Sequence, residues 1–251
     1  MSESYKALCS DYYVNLKLQL KLELPRNRET VLDLFERVRK QFSSMSSFRR
    51  YKEELALESA PTEFPHRWVA LRASSLRAGV VNATGPEESY GLHATLLELA
   101  PAFLSISALD VEYVELLFGF DLSAEGNHDA IVLEALYAGS PLQALIDLPN
   151  ARPVDCQPLI GLSVGHRGEA EVYFEVKTRQ QGGQMPRVDP DGGPDPISVY
   201  CTLRRFGPFS DVKDLPAVLA QLAKAGEELI ERRVVPGLIV PIREAIGSSN
   251  A

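Results

Sequence analysis

Residues 13–24 read YVNLKLQLKLEL, and this stretch decides the fold. Val14, Leu16, Leu18, Leu20, Leu22 and Leu24 alternate strictly with Asn15, Lys17, Gln19, Lys21 and Glu23. Successive side chains of an extended chain point to opposite faces, so the alternation predicts a strand with one buried side and one polar side. Pro25 ends it, Asn27 can cap a helix, and Val31, Leu34, Phe35, Val38 and Phe42 recur at helical spacing. A helix over 28–42 is therefore expected to lie against the leucine face.

Working outward, FRRYKEELALES predicts a second, largely solvated strand with Tyr51, Glu53, Leu55 and Leu57 on one face. After the turn-forming PTEFP, WVALRASSLRAGVV predicts a third strand with Val69, Leu71 and Ala73 on one side. A second helix over 89–100 ends near Pro101, because proline cannot donate the helical hydrogen bond. LDVEYVELLFGFDL, residues 109–122, is apolar on both faces in its second half and reads as a covered strand. Further on, Asn127 caps a third helix, three strands come next in PLIGLSV, EAEVYFEVKTR and ISVYCTLRRF, and a helix closes the chain from about residue 214.

The expected fold class is α+β. A ferredoxin-like β-α-β-β-α-β first half, residues 1–124, precedes an α-β-β-β-α second half, residues 125–251. The two halves are either separate domains or one continuous domain sharing an extended antiparallel sheet, and both alternatives stay open at this point. No repeat is legible in the residues, although both halves set strands beside helices.

Composition bounds the function. Hydrophobic residues make up 45% of the 251 and charged ones 24%, the balance of a globular protein. No apolar run approaches the roughly 20 residues of a membrane span, and MSESYKALCSDYY lacks a basic-then-apolar secretory layout. Cys9, Cys156 and Cys201 are odd in number and widely spaced, which fits free thiols and a cytoplasmic location. A net charge of −8 argues against nonspecific binding to nucleic acid or to an anionic membrane. The charge is unevenly laid out, however. Between Arg77 and Arg152 there is no Lys or Arg at all, whereas basic residues outnumber acidic ones over 26–52.

Three motifs invite a catalytic or metal role and fail on their surroundings. Gly161-Leu162-Ser163-Val164-Gly165 spells a nucleophile elbow, but period-two alternation comes after it where a helix is required. The only later histidine, His166, is too near to serve as base. Gly126-Asn127-His128-Asp129 resembles one block of the calcineurin-like metallophosphoesterases, yet the other metal-binding blocks of that family are missing. The acidic stretch Asp189–Asp195 lacks both the spacing of a calcium loop and the glutamate that closes one. No catalytic residue, metal or cofactor is therefore expected.

One basic cluster remains. Arg49, Arg50 and Lys52, with Arg72, can gather a phosphate or carboxylate group. The sequence thus predicts a non-enzymatic binding or assembly protein that self-associates as a homodimer through exposed sheet surface or opposite charge patches. The alternative is an enzyme or sensor holding a small anionic ligand at those four residues, in a cleft between the halves. Neither nucleic acid nor a membrane is an expected partner.

Overall fold

A computed structural model describes residues 5, 7–165, 168–178 and 195–249. Its centre is the leucine ladder. β1 (Asp11–Leu20) buries Tyr12, Val14, Leu16, Leu18 and Leu20 and leaves the intervening residues half-exposed. The strand stops earlier than its alternation implies, because the register slips at Gln19/Leu20 and the Leu22 N–H turns to the Asp110 carboxylate. Leu22 is consequently 68% exposed instead of continuing the buried face.

α1 (Arg28–Gln41) is next, capped by the Asn27 side chain, which accepts from the Thr30 N–H at 3.2 Å. The two segments after it depart from expectation in the same way. The stretch expected as one second strand folds back into β2 (Met45–Arg50) and β3 (Leu55–Ser59), with the Tyr51 N–H donating to the Glu54 carbonyl across the turn. The expected third strand is likewise two, β4 (His66–Leu71) and β5 (Ser75–Val81), closed by the Arg72 N–H on the Ser75 carbonyl. Short turns without glycine or proline carry little sequence signal, so each hairpin reads as a single run. The β-α-β-β-α-β series is thus extended to six strands, four of them between the helices.

α2 (Pro86–Leu104) runs through Pro101 rather than ending before it. In the last turn proline removes only one hydrogen bond, and Ser105, in the left-handed conformation, closes the helix by donating to the Pro101 carbonyl. β6 (Val111–Leu122) leads to α3 (His128–Tyr137) and the short α4 (Gln143–Ile146). β7 (Leu159–Val164), β8 (Ala170–Lys177) and β9 (Ile197–Phe206) come next. α5 (Leu215–Leu229) loosens into a π-helical segment (Ile230–Ile239) around Pro236, which has no N–H to give, and α6 (Val240–Ser249) completes the chain. His166 and Arg167, and residues 179–194, lie outside the described residues.

The nine strands among the described residues form one antiparallel sheet in the order β2-β3-β4-β5-β1-β6-β9-β8-β7. β1 and β6 pair at its centre, and β9 joins β6 directly, so the sheet crosses the middle of the chain without a break. The connectivity repeats about this centre. The segments β1–β5 and β6–β9 each start with a central strand, pass through helix, and return by a meander whose last strand lies beside that central strand. The helices cover one face: α2 lies against β5 and β1, and α5 against β6 and β9. A continuous core of buried side chains from both halves fills that layer, with Phe118 and Phe120 the largest. Among the described residues no helix is long and apolar enough to cross a membrane.

His93 of α2 is a polar side chain set in the apolar core. It is wholly buried, and neither ring nitrogen has a hydrogen-bond partner among the described residues. Burial pulls its pKa down from about 6.5 to about 3. The unfolded chain takes up a proton below about pH 6.5 that the folded chain refuses until near pH 3, so stability falls as pH drops through that window. At pH 5 the loss amounts to about 2 kcal/mol. His93→Leu is expected to remove that share of the acid sensitivity and to raise stability at pH 7 by about 1 kcal/mol, since it removes an unpaired buried polar group. Urea titrations of both proteins at pH 5 and pH 7 check this, and equal pH dependence in the two would contradict it.

Candidate functional site

Helices cover one face of the sheet, and the other is open and polar. Cross-strand pairing aligns one residue from every strand into a single row on that face. From β2 to β7 the row is Arg49, Ala56, Ala70, Arg77, Lys17, Glu115, Arg204, Glu171 and Ser163. Charge along it is segregated. Arg77 and Lys17 stand directly opposite each other, a like-charge pair that costs free energy on a sheet unless something compensates. Beyond them the signs alternate, and Arg204 binds Glu115 at 2.6 Å and reaches Glu171 at 3.5 Å.

Aromatic rings support these cations. Lys17 donates to the Tyr113 hydroxyl at 2.8 Å and sits 5.2 Å from its ring centre. Arg77 lies 5.6 Å from the Trp68 ring, and Arg204 lies 4.6 Å from Tyr113 and 5.3 Å from Tyr173. Three of the rings on this face are laid flat by glycines on the neighbouring strand: Trp68 covers Gly79, Tyr13 covers Gly119 and Tyr173 covers Gly161. A Cβ at any of these positions would collide with the ring.

Around Arg77 and Lys17 the face dips into a groove of about 760 Å³. Its charged lining comprises Lys17, Arg26, Lys52, Arg72 and Arg77 against Glu53 and Glu115. At its edge Glu54, only 5% exposed, accepts from Arg72 Nε at 2.8 Å and lies 3.8 Å from Arg77. The crowding of cations registers on Arg77. Burial first, and then the neighbouring Arg72, pull its pKa below the ordinary guanidinium value, with Glu54 acting in the opposite sense. For Arg204 burial again disfavours the cation, but the hydrogen bond and charge of Glu115 outweigh it and raise the pKa.

The four cations singled out in the sequence do not form one cluster. Lys52 and Arg72 line the groove. Arg49 shares the row with Arg77 but is separated from it by Ala56 and Ala70. Arg50 points to the opposite face of β2, the side on which Phe48 meets Phe35 of α1. In their place come Lys17, Arg26 and Arg77. Lys17 was legible as part of the polar side of the ladder. Arg77 was hidden by the unrecognised turn at Arg72–Ser75, which resets the alternation of β5. Every lining residue falls between Asn15 and Leu117, so the groove belongs to the first half and not to a cleft between the halves.

No protein-family model matches this chain, and no curated protein matches it. Among solved structures it is similar to a chain in the crystal structure of A. aeolicus tRNASec in complex with M. kandleri SerRS. That match has 11% sequence identity and a TM-score of 0.29, and covers 95% of this chain. This chain spans only 31% of the length of the solved one, and neither fold nor role is taken from it.

Two of the three tempting motifs resolve into structural roles, and the third, Asp189–Asp195, lies outside the described residues except for Asp195. Ser163 sits in β7, and after Gly165 the chain returns as β8, so there is no turn from strand into helix. Asn127 caps α3, its side chain accepting from the N–H groups of Asp129 and Ala130, while the His128 ring contacts the Ala124 carbonyl at 3.0 Å. Asp129 is buried and accepts from the Cys156 N–H and the Thr178 hydroxyl. Among the described residues no three His, Cys, Asp or Glu side chains gather as a metal site requires. What the groove offers chemically is therefore a set of fixed positive charges and donors on a rigid sheet, a surface suited to holding an anion.

Proposed function

We propose that the chain is a non-enzymatic, cytoplasmic binding protein that takes a small phosphate or carboxylate compound in the groove on its open sheet face. The observation that carries this reading is the charge of the groove. In a chain of net charge −8 it collects five cations against two carboxylates, with Lys17 and Arg77 directly opposed. A bound anion relieves that repulsion and accepts from several guanidinium and ammonium donors at once. The three free cysteines support a reducing compartment.

The finer architecture belongs to the same proposal. Residues 1–124 are read as a ferredoxin-like unit, supported by the order β6-β1-β5-β4, with the β2–β3 hairpin as an addition beyond β4. Residues 125–251 then form a second unit that extends the sheet along β6.

Thermal melts in inorganic phosphate, citrate and chloride at equal ionic strength test the binding reading. At ten times its Kd a ligand adds about 1.4 kcal/mol, or about 3–6 °C for a chain of this size. Phosphate or citrate is expected to produce that rise in the wild type and not in Lys17→Gln or Arg72→Gln. If both variants respond like the wild type, or if chloride does as well as phosphate, the groove is not an anion site.

A further inference from the structure

The two ends of the sheet are built differently. At one end β2 carries a register shift between Met45 and Ser47 and exposes Arg49 and Arg50, devices that stop another strand from adding on. β7, at the other end, has neither. Its sequence LIGLSV holds no charge and no proline, all six residues are exposed, and no described strand pairs with its outer side.

Exposed apolar residues concentrate in the same region. Of the twelve large exposed hydrophobics among the described residues, eight fall within 142–164: Leu142, Leu145, Leu148, Val154, Leu159, Ile160, Leu162 and Val164. Ile160, Leu162 and Val164 point to the helix side of the sheet. There, with Val172, Phe174 and Leu222, they line a largely apolar groove of about 900 Å³ between β7–β9 and α5 with its π-helical continuation. A surface of this kind marks an interface.

We infer that β7 pairs antiparallel with β7 of a second copy, making a homodimer with one continuous sheet. The occupant is a second copy because this edge complements itself. It carries no charge, so two-fold pairing opposes no like charges, whereas the β2 edge presents two exposed arginines.

The backbone also narrows the register. The Val176 N–H donates to the Pro158 carbonyl at 3.0 Å, and β7–β8 pairing continues without a bulge. Even-numbered residues of β7 therefore direct their N–H and C=O groups toward β8, and Leu159, Gly161 and Ser163 direct theirs outward. A two-fold axis normal to the sheet keeps each face on its own side, so it must pass through a residue paired with itself. Centring on Leu162 sets Ile160 against the partner's Val164, and Leu162 against its own copy, so every pair on the helix side is apolar. Gly161 then exchanges both hydrogen bonds with the partner's Ser163. The Leu162 pair is non-hydrogen-bonded, with Cα atoms about 4.5 Å apart, near enough for a disulfide if cysteine replaces leucine.

Sedimentation velocity on the full chain and oxidation of cysteine variants test this interface. The wild type is expected to sediment as a dimer. Leu162→Lys opposes two lysines at the axis and weakens association at least about a hundredfold; since the site is 49% exposed, its melting curve persists. Leu162→Cys should form an intermolecular disulfide under mild oxidation. Ser163→Cys should not, and neither should the wild type, whose Cys156 and Cys201 are buried and whose half-buried Cys9 donates to the Tyr5 carbonyl. A monomeric wild type at tens of micromolar overturns the inference. So does a dimer indifferent to Leu162→Lys, or a failure of Leu162→Cys to cross-link; either means that another surface or another partner is used.

Discussion

Phe118→Ala is expected to lower the free energy of unfolding by about 4 kcal/mol, the range observed when a fully buried aromatic ring is deleted from a core. Phe118 lies at the middle of β6, is wholly buried, and fills the space where α5 crosses the centre of the sheet. Its counterpart on the helix is Gly226. A Cβ there would run into the Phe118 ring and approach Leu203 Cδ1 to 3.2 Å. A glycine in mid-helix costs about 1 kcal/mol relative to alanine, so its presence reflects the close approach of helix and strand. Gly226→Ala is accordingly expected to destabilise, by about 1–2 kcal/mol, where an open helix site would be stabilised. Combined with Phe118→Leu, it should cost less than the sum of the single changes, because the smaller side chain vacates the space that the methyl enters. Urea unfolding of the single and double variants measures the coupling, and strict additivity would mean that the two sites do not share one packing contact.

The second large effect concerns the groove. Glu54→Gln keeps the shape of the side chain but removes the one buried carboxylate that faces both Arg72 and Arg77. Breaking a fully buried ion pair costs about 3–5 kcal/mol. Here the arginine side chains are 31% and 24% exposed, and solvent screening brings the expectation down to about 2–3 kcal/mol. Inorganic phosphate should restore part of this loss, giving a larger rise in melting temperature for Glu54→Gln than for the wild type, since an anion would then supply the missing countercharge. A variant that is destabilised but responds to phosphate no more than the wild type would show that Glu54 serves the fold alone.

The buried faces of β1 and α1 are visible in YVNLKLQLKLEL and the residues after it, because the strand period of two and the helix period of 3.6 are properties of the backbone itself. The caps at Asn27 and Asn127 are equally local. The hairpin turns at Tyr51–Glu54 and Arg72–Ser75 are not legible, since nothing in KEE or RASS demands a reversal. That omission displaced the candidate site. A straight strand over 68–81 gives no reason to set Arg77 opposite Lys17, and so the basic stretch around Arg49 and Arg50 stands out instead. In the final helix Pro236 marks a restart after about residue 234, but the apolar stripe conceals the π-helical segment around it, where the proline shifts the hydrogen bonding.

What the sequence by itself determined is therefore local: which residues alternate, which side of each element is apolar, and that no transmembrane, elbow or metal-binding pattern is complete. The tertiary structure alone decided the neighbours. It put β1 at the centre of nine strands, drew Arg77, Lys17, Glu115 and Arg204 from four separated segments into one row, and left β7 as an unguarded edge. Periodicity arises from the geometry of a few consecutive residues, whereas strand order and register depend on which distant segments bury their apolar faces together, and that balance is struck only by the folded chain.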